Sequence, residues 1–190
     1  MTDLLDELPW VALILAKSES TRLPNKNTLD FHGEPMFLTN VRKCVELFDK
    51  VYVSSDSQEI LKMARNIGAR GIRRPSSLCG NTPNIDVYRH AVGQMKGIQG
   101  IVAVQANSPT VPIKLISDIG EMTMMGYNEI MTCHPDRSLY GSVWAMTADR
   151  LANYGDPYKP TPEVLIVDKS IDIHTKEDLE QAFKQYNNEC

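Results

Sequence analysis

Short apolar runs alternate with amphipathic stretches along the chain. The run VALILA at residues 11–16 is apolar throughout, which is typical of a strand covered on both faces of a sheet. The same criterion predicts six further short strands, at residues 51–53, around Ile72, and at residues 101–105, 130–133, 141–146 and 164–167.

Helical periodicity fills the intervals between these strands. Pro35 opens an apolar pattern that continues to Phe48, and proline is well placed in a first helical turn. Ser57 is a candidate N-cap for a helix that runs to Ile67 and stops at Gly68. Three more helices are predicted, one from Asn84, one from Pro112 to about Met125, and one capped by Thr175 with Asp178 as its capping-box partner.

Strands that alternate with helices of roughly ten to fifteen residues indicate βαβ units. The predicted fold class is therefore α/β, with a mostly parallel seven-stranded sheet and helices on both faces. The carboxyl ends of parallel strands share one edge of a sheet, where ligands bind. Neither a repeat nor a linker interrupts the pattern, so we expect one domain over residues 1–190. Four loops fall at the ligand edge, at residues 16–27, 54–56, 73–82 and 105–110.

Composition and charge exclude several classes of protein. Hydrophobic residues make up 42% of the 190 residues, which supplies a buried core and argues against disorder. The net charge of −4 argues against a large basic surface for nucleic acid. No apolar run reaches the ~18 residues of a membrane helix, and the acidic residues 1–9 do not form a secretory signal. We therefore expect a cytoplasmic protein that binds neither nucleic acid nor membrane.

The cysteines are Cys44, Cys79, Cys133 and Cys190, and they include no C-x-x-C pair. This usage fits a reducing compartment better than a disulfide scaffold. Cys133 and His134 are adjacent, which suggests a metal site, but neighbours in a strand point to opposite faces. A buried structural cysteine is the favoured interpretation of Cys133.

The loop after the first strand concentrates positive charge. Lys17, Arg22 and Lys26 lie within residues 16–27, together with small hydroxyl side chains. The loop contains no glycine, which excludes a Walker A loop and a dinucleotide fingerprint. Fixed cations and exposed amides at the end of a buried strand suit a polyphosphate. A solvated polar loop is the alternative, because the charges of basic loops are usually only hydrated.

The order of residues in this loop is more informative than its charge. It resembles the S-x-R-[IL]-P-x-K-N signature of the acylneuraminate cytidylyltransferase family at Ser20, Arg22, Leu23, Pro24, Lys26 and Asn27. Three later segments are also similar to that family: FDKVYVSSD at residues 48–56, QANSP at residues 105–109 and IDIHTKEDL at residues 171–179. The resemblance implies a Rossmann-like, three-layer αβα nucleotidyltransferase fold.

Members of this family transfer a nucleotidyl group. A hydroxyl of a sugar acid attacks the α-phosphate of CTP with the help of Mg²⁺, pyrophosphate leaves, and a CMP-sugar forms. The resemblance implies catalytic roles for Arg22, Lys26 and Asp172. It also makes Asp172 a metal ligand and Gln105 an acceptor-binding residue. Residues 54–56 are interpreted instead as a helix N-cap box. The implied nucleotide-binding residues are Ala16, Lys17, Ser18, Ser20, Arg22, Lys26, Asn27, Arg74 and Thr82.

The presumed phosphate loop and the metal position depart from the family pattern. Lys17 replaces an arginine and Ser18-Glu19 a glycine pair, so the loop keeps a charge but loses a bidentate fork. The family's D-x-D pair is here Asp172-x-His174, whose two side chains would reach one ion from a strand. Mg²⁺ prefers oxygen ligands, whereas imidazole suits Zn²⁺, Mn²⁺, Co²⁺ or Ni²⁺. The alternatives are Mg²⁺ on Asp172 and phosphates, a softer ion on His174, and an impaired metal site.

A segment of the family is missing from this chain. Only seven residues separate Cys133 from Gly141, where family members carry an arm that reaches into a partner subunit and supplies arginines near the sugar carboxylate. Arg137 is the one cation in that interval, and Thr110-Val111 stands where another arginine commonly lies. We therefore expect an open acceptor site, and a monomer or a dimer unlike the arm-swapped one.

The sequence as a whole predicts a metal-dependent cytidylyltransferase with CTP and a small acidic acceptor as its partners. One alternative is a nucleotide-binding protein of the same fold without turnover, and a second is a nucleotidyltransferase that uses another NTP. The acceptor is not specified, because the acceptor-binding segment of the family is the part that does not match.

Overall fold

The structure, a computed structural model, describes residues 9–189. A two-stranded hairpin of β2 (Asp30–Phe31) and β3 (Glu34–Pro35) stands apart from the main sheet. The main sheet of the described chain consists of β1 (Trp10–Leu15), β4 (Val51–Ser55), β5 (Arg70–Arg73), β6 (Gly100–Gln105), β7 (Glu129–Cys133), β8 (Leu139–Thr147) and β9 (Val164–Val167).

The strands of the main sheet are arranged in the order β5-β4-β1-β6-β8-β7-β9. Strands β5, β4, β1 and β6 pair in parallel, and so do β7 and β9. Strand β8 runs antiparallel to both of its neighbours, β6 and β7. The prediction of a mostly parallel, seven-stranded sheet is therefore confirmed.

The burial of β1 on both faces explains why its sequence is apolar throughout. Ala12 and Ile14 are fully buried in the core on one face, and Val11 and Leu13 are fully buried in the core on the other. Side chains alternate along a strand, so a central strand needs apolar residues at every position rather than at every second one.

Helices cover both faces of the sheet, which confirms the three-layer αβα fold. Helices α1, α2 and α4 contribute to the core on one face, and α3 and α5 to the core on the other. None of the helices in the described part of the chain combines the length and apolarity needed to span a bilayer. The helices are α1 (Met36–Leu47), α2 (Gln58–Asn66), α3 (Asn84–Val92), α4 (Ile113–Thr123), α5 (Ala148–Ala152) and α6 (Lys176–Glu189).

The predicted helix caps are present. The Ser57 hydroxyl accepts the Ile60 N–H at 3.3 Å, and Gly68 adopts a φ of 99° just after α2. At the start of α6, Thr175 Oγ1 accepts the N–H of Asp178 at 3.1 Å. Asp178 Oδ2 accepts the N–H of Thr175 at 2.8 Å, so the two residues form a reciprocal capping box.

The β2–β3 hairpin and helix α5 were not predicted from the sequence. The β2–β3 hairpin turns through His32 (φ 55°) and Gly33 (φ 86°), the two left-handed positions of a tight two-residue turn. Its strands are two residues long, too short to show a period of two. Helix α5 is likewise a five-residue helix and shows no helical period.

The predicted bounds of two helices need correction. Pro35 ends the hairpin and precedes α1, which begins at Met36 and ends before Phe48. Within α1, Cys44 is buried, whereas its neighbour Val45, which belongs to the apolar pattern of residues 35–48, is 37% exposed. Helix α4 spans Ile113–Thr123 and is shorter at both ends than predicted.

A third hydrophobic cluster fastens α6 and the segment before it to the loop after β1. Its buried members include Leu23, Phe31 and Ile173, and the rings of Phe183 and Tyr186 pack on Phe31 at centroid distances of 4.8 and 5.4 Å. The cluster lies outside the two cores of the main sheet. It holds residues 171–174 against residues 16–27, here called the cationic loop.

Candidate functional site

A cleft of about 540 Å³ opens at the carboxyl ends of β1 and β6. This is the edge of the sheet where ligands bind in open α/β folds. Ten of the twelve residues predicted for the site line the cleft: Lys17, Ser20, Arg22, Lys26, Asn27, Arg74, Thr82, Gln105, Asp172 and His174.

The other two predicted residues, Ala16 and Ser18, do not line this cleft. Ala16 is fully buried, and its N–H donates to the Ser54 carbonyl at 3.0 Å. Ser18 turns towards Asp56, whose carboxylate accepts from the Ser18 N–H at 2.8 Å and from its hydroxyl. Both residues therefore support the start of the loop instead of facing its ligand side.

The contact with Ser18 gives Asp56 a role that the N-cap interpretation of residues 54–56 omits. Burial alone would raise the pKa of the Asp56 carboxyl, but the two hydrogen bonds from Ser18 outweigh it, and the pKa lies below its ordinary value. The cap itself is supplied by Ser57. Asp56 instead braces the cationic loop against the end of β4.

Lys26 lies deepest among the three cations of the loop. Its side chain is largely buried, and Nζ donates to the Ile173 carbonyl at 2.8 Å and lies 3.3 Å from His174 Nδ1. Burial is the main cause that lowers the pKa of Lys26 to about 8. The attraction of Asp172 opposes this shift, and the repulsion from Arg22 and Lys17 adds to it. An anion in the cleft would reverse this effect by favouring the ammonium form.

Asp172 and His174 face each other beside Arg22 and Lys26, in the part of the cleft here called the cationic end. Asp172 Oδ2 lies 2.7 Å from His174 Nε2, and Asp172 Oδ1 accepts from Asn107 Nδ2. Nδ1 faces the Lys26 ammonium, and Nε2 also lies 3.3 Å from Arg22 Nη2. The shorter contact of Nε2 with the Asp172 carboxylate favours the tautomer with the imidazole proton on Nε2. Burial lowers the pKa of His174, although Asp172 favours its cationic form.

The proposed strand at Asp172 and His174 is wrong, although the two side chains do meet. Residues 171–174 have no strand pairing, and β9 ends at Val167. The segment is held instead by single contacts, including the Ile173 N–H to the Asn107 carbonyl at 2.9 Å and the His174 N–H to Asp178 at 2.8 Å.

Arg74 and the loop after it form the opposite end of the cleft. Arg74 is only 4% exposed, and it donates to Ser54 through Nη2 to the carbonyl at 2.9 Å and through Nε to the hydroxyl at 3.3 Å. Thr82 Oγ1 donates to the Cys79 carbonyl at 3.0 Å, which shapes the loop. Lys17 Nζ donates to the Gly80 carbonyl at 3.1 Å and so bridges this loop to the cationic one.

Nine of the residues that line the cleft were not among the predicted site residues, and two of them, Asn107 and Tyr140, hydrogen-bond other groups of the site through their side chains. Asn107 lay inside the segment quoted for the resemblance, so its position was a usable signal. No local motif contains Tyr140. The short β7–β8 connection of the folded chain brings it to the cleft. Its hydroxyl is hydrogen-bonded to Ser108 Oγ, and burial raises its pKa.

Cys133 and His134, adjacent in the sequence, have different surroundings. Cys133 is buried, and the His134 ring stacks on Tyr140 with a centroid distance of 4.5 Å and an interplanar angle of 11°. Across the described residues, no group of three or more His, Cys, Asp or Glu side chains is arranged to hold a metal ion.

The donor set at the cationic end fits one kind of metal binding. Asp172 offers a single carboxylate, and the imidazole lone pair of His174 is directed at Lys26. Mg²⁺ is usually held by one or two carboxylates together with substrate phosphates and water. The residues therefore fit Mg²⁺ that arrives with a polyphosphate, and they do not fit an ion held by protein side chains alone.

Fold and cleft together place the chain in the class of αβα nucleotidyltransferase folds. The family described as Cytidylyltransferase matches residues 11–187, and the chain belongs to this family. The family resemblance of the four sequence segments is thereby confirmed.

Named relatives match different lengths of the chain. The N-acylneuraminate cytidylyltransferase A of Danio rerio is 31% identical over 125 residues, which are 64% of this chain and 29% of the relative. The 3-deoxy-manno-octulosonate cytidylyltransferase of Francisella tularensis is 25% identical over 159 residues, which are 83% of this chain and 58% of the relative. The chain therefore matches less than two thirds of the length of these relatives.

Solved structures share the fold. The structure of CMP:2-keto-3-deoxy-manno-octonic acid synthetase complexed with CTP has a TM-score of 0.75 at 15% identity, covering 96% of this chain and all of the other. A cytidylyltransferase from Leptospira borgpetersenii has a TM-score of 0.68 at 18% identity, covering 91% of this chain and 84% of the other.

Proposed function

We propose that the chain is a metal-dependent cytidylyltransferase that transfers CMP from CTP to a small acidic sugar and releases pyrophosphate. The observation that carries the proposal is the convergence of Lys17, Arg22 and Lys26 with Asp172 around one cleft. Three cations and one carboxylate at the ends of parallel strands suit a triphosphate with its divalent ion. Arg74 lies in the same cleft and suits the nucleoside.

The relatives support the choice of nucleotide and acceptor class. Those named above are cytidylyltransferases for N-acylneuraminate and 3-deoxy-manno-octulosonate, and a third is named as acting on pseudaminic acid. That third relative, a bifunctional protein of Helicobacter pylori, is 43% identical over 61 residues, which are 31% of this chain and 12% of the relative. The names agree on a nucleotide and on sugar acids, and they differ in the acid.

The three cations would hold the triphosphate and stabilise the pyrophosphate as it leaves. The acceptor hydroxyl forms a bond to the α-phosphorus, and the bond from that phosphorus to the bridging oxygen of pyrophosphate breaks. Negative charge accumulates on the leaving oxygens, where Lys26 and Arg22 supply fixed positive charge in a partly desolvated cleft. Asn27, whose Nδ2 donates to the Lys17 carbonyl at 2.8 Å, keeps the loop in shape for this contact.

Asp172 is the residue that would hold Mg²⁺, with phosphate oxygens and water as the other ligands. Such an ion neutralises phosphate charge and orients the α-phosphate. Asn107 and His174 hydrogen-bond the two oxygens of Asp172 and fix its orientation. The cytidine would lie by Arg74 and the loop that ends at Thr82, and Gln105 would face the acceptor.

A pyrophosphate-release assay tests the proposal. The protein is incubated with each of the four NTPs, with Mg²⁺ or Mn²⁺, and with 3-deoxy-manno-octulosonate, N-acetylneuraminate or pseudaminic acid. We expect release with CTP and at least one of these acids. Lys26→Met should abolish release, whereas Lys114→Met, at an exposed lysine paired with Asp118, should leave it unchanged.

Two outcomes would reject the proposal in different ways. Tight CTP binding without release for every acid would favour a nucleotide-binding protein without turnover, which the histidine at position 174 makes the second candidate. Release with UTP or GTP but not with CTP would identify a nucleotidyltransferase of different base specificity.

A further inference from the structure

The segment from Gln105 to Val111, here called the acceptor loop, is held by hydrogen bonds from two side chains of α1 to its backbone carbonyl groups. Asn40 is fully buried, and its Nδ2 donates to the carbonyls of Gln105 at 2.9 Å and Ser108 at 2.8 Å. Its Oδ1 accepts from Lys43 Nζ at 3.1 Å. Every hydrogen-bonding group of the Asn40 side chain is therefore used.

Lys43 lies one helical turn further along α1 and holds the second half of the acceptor loop. Its Nζ donates to the Pro109 carbonyl at 2.6 Å and to the Val111 carbonyl at 2.7 Å. An ammonium that donates to carbonyl groups forms charge-assisted hydrogen bonds, which are stronger than neutral ones. The two side chains together bind four carbonyl groups of one short loop.

The acceptor loop carries the groups on one side of the cleft. Gln105 lines the cleft directly, and Asn107 hydrogen-bonds Asp172. Ser108 hydrogen-bonds the Tyr140 hydroxyl, so the loop also positions this neighbouring lining residue. The hydroxyl of Thr110 accepts the Ile171 N–H at 2.9 Å, which ties the loop to the segment that bears Asp172.

The cationic end of the cleft is supported differently. It is braced by the contact of Asp56 with Ser18 and by the contact of Lys26 with the segment before α6. Among the described residues, the Asn40 side chain is hydrogen-bonded to the acceptor loop and to Lys43 and not to the cationic loop. A change at Asn40 therefore acts first on the acceptor loop. It reaches Asp172 indirectly, through Asn107 and through the contact of Thr110 with Ile171, whereas Lys17 and Lys26 have supports of their own.

Burial of the Asn40 amide in α1 costs free energy, so packing alone does not explain why a polar residue occupies this position. The neighbouring core positions of α1, such as Phe37 and Val41, are apolar and fully buried. Burial of an amide requires that its hydrogen bonds be satisfied, and an apolar residue would avoid this requirement. The hydrogen bonds of Asn40 fix the acceptor loop in one geometry, which is what the positioning of a reacting hydroxyl needs.

We propose that Asn40, assisted by Lys43, is a positioning residue that sets the geometry of the acceptor side of the cleft through the carbonyl groups of the acceptor loop. The proposal rests on the proposed function and specifies which half of the reaction Asn40 serves. It acts through Gln105 and Asn107 and does not touch the substrates.

Asn40→Asp tests the proposal at constant side-chain size. The carboxylate cannot donate to the Gln105 and Ser108 carbonyls, so we expect the KM for the sugar acid to rise at least about tenfold. The KM for CTP should stay within about twofold of the wild type. Lys43→Met, which keeps the apolar stem, should shift the two constants in the same directions by a smaller factor. Asn153→Ala, at an asparagine that bonds only to its own helix, is the control and should change neither constant.

The outcomes separate positioning from a general loss of folding. A variant that is merely unstable would lose active protein, so kcat would fall while both KM values stayed unchanged, and this result would overturn the proposal. Unchanged constants in Asn40→Asp would overturn it as well.

If the wild type releases no pyrophosphate with any acid, the proposed function fails, and amide hydrogen exchange becomes the test of the positioning role. Faster exchange in Asn40→Asp at Ser108, Val111 and Ile171, with unchanged exchange at Lys26, would support that role. Equal exchange at all of these amides would reject it.

Discussion

The Nε2 atom of His174 lies 2.7 Å from the Oδ2 atom of Asp172. The Nδ1 atom of the same ring lies 3.3 Å from the Lys26 ammonium. The imidazole therefore links the Lys26 ammonium to the Asp172 carboxylate. A carboxylate at position 174 would lie beside Asp172, so we expect replacement of His174 to change the affinity of the cleft for a divalent ion.

His174→Asp is expected to couple stability to divalent metal. The new carboxylate repels Asp172, and the variant loses the hydrogen bond between the imidazole and Asp172. Lys26 and Arg22 offset only part of this loss, so the variant should melt at a lower temperature than the wild type in chelator. Because two carboxylates suit Mg²⁺ or Mn²⁺, Mn²⁺ affinity without CTP should rise about tenfold or more, and Mn²⁺ should restore the melting temperature. Isothermal titration and thermal melts measure the two effects. His174→Asn, which adds no charge, should show neither gain. Equal Mn²⁺ affinity in the wild type and His174→Asp would contradict the prediction.

CTP affinity should fall as the pH rises through the pKa of Lys26. With that pKa at about 8, the ammonium is mostly charged at about pH 7 and mostly neutral at about pH 9, so metal-free CTP binding should weaken by roughly tenfold between them. Lys26→Arg keeps its charge over this range and should show a flat profile. Isothermal titration at both pH values measures the difference, and a parallel decline in the two proteins would assign it to another group.

Lys26 should also make the free energy of unfolding depend on pH, but in the direction opposite to its effect on CTP affinity. The ordinary lysine pKa of 10.5 applies to the unfolded chain, so between about pH 8 and 10.5 the unfolded state binds more protons than the folded state. The contribution of Lys26 to the free energy of unfolding therefore increases with pH in this window. Urea titrations of the wild type and Lys26→Arg, compared across the window, should show this increase in the wild type alone.

Removal of the Tyr140 hydroxyl should affect the acceptor side of the cleft. Tyr140→Phe keeps the stacking on His134 and loses the hydrogen bond to Ser108. A loss of about 1 kcal/mol corresponds to a rise of roughly fivefold in the KM for the sugar acid, with CTP affinity unchanged. Tyr158→Phe, at a tyrosine that is 75% exposed, is the matched control. An equal loss of CTP affinity would show that Tyr140 serves the nucleotide instead.

The buried carboxylate of Glu129 should contribute to stability and not to nucleotide binding. It accepts hydrogen bonds from Trp144 and Tyr154, each at 2.9 Å, and pairs with Arg150 at 2.8 Å. Glu129→Gln weakens a desolvated ion pair, so the free energy of unfolding should fall by roughly 3 kcal/mol in urea titrations. Asp118→Asn breaks an exposed pair with Lys114 and should cost less than about 1 kcal/mol. Since none of these residues lines the cleft, a change in CTP affinity would contradict the assignment.

The hydrophobic pattern predicted the layers of the fold because burial on two faces leaves a direct record in the sequence. Strand β1 is apolar at every position for this reason, and Thr175 and Asp178 indicated a helix start through local hydrogen bonds. The β2–β3 hairpin was not predicted, because two-residue strands carry no period.

Site residues were predictable where a local motif contained them. Lys26 and Asp172 belong to quoted segments, but their approach to each other depends on the docking of α6, which no local pattern encodes. The same limit applies to Asn40, whose partners lie 65 and 68 residues away in sequence, and to Tyr140. Long-range pairing is a property of the folded topology and not of spacing along the chain.

The contact between Lys26 and the Ile173 carbonyl joins positions that are 147 residues apart, and Ile173 lies beyond Val167, where the last strand ends. On the ribosome, every strand of the sheet is therefore synthesised before the cationic end of the cleft gains its second wall. A chain that ended after β9 would contain the complete sheet and all three cations without the carboxylate that faces them. Nucleotide binding would thus require that the segment after β9 has been synthesised and has docked against the loop after β1.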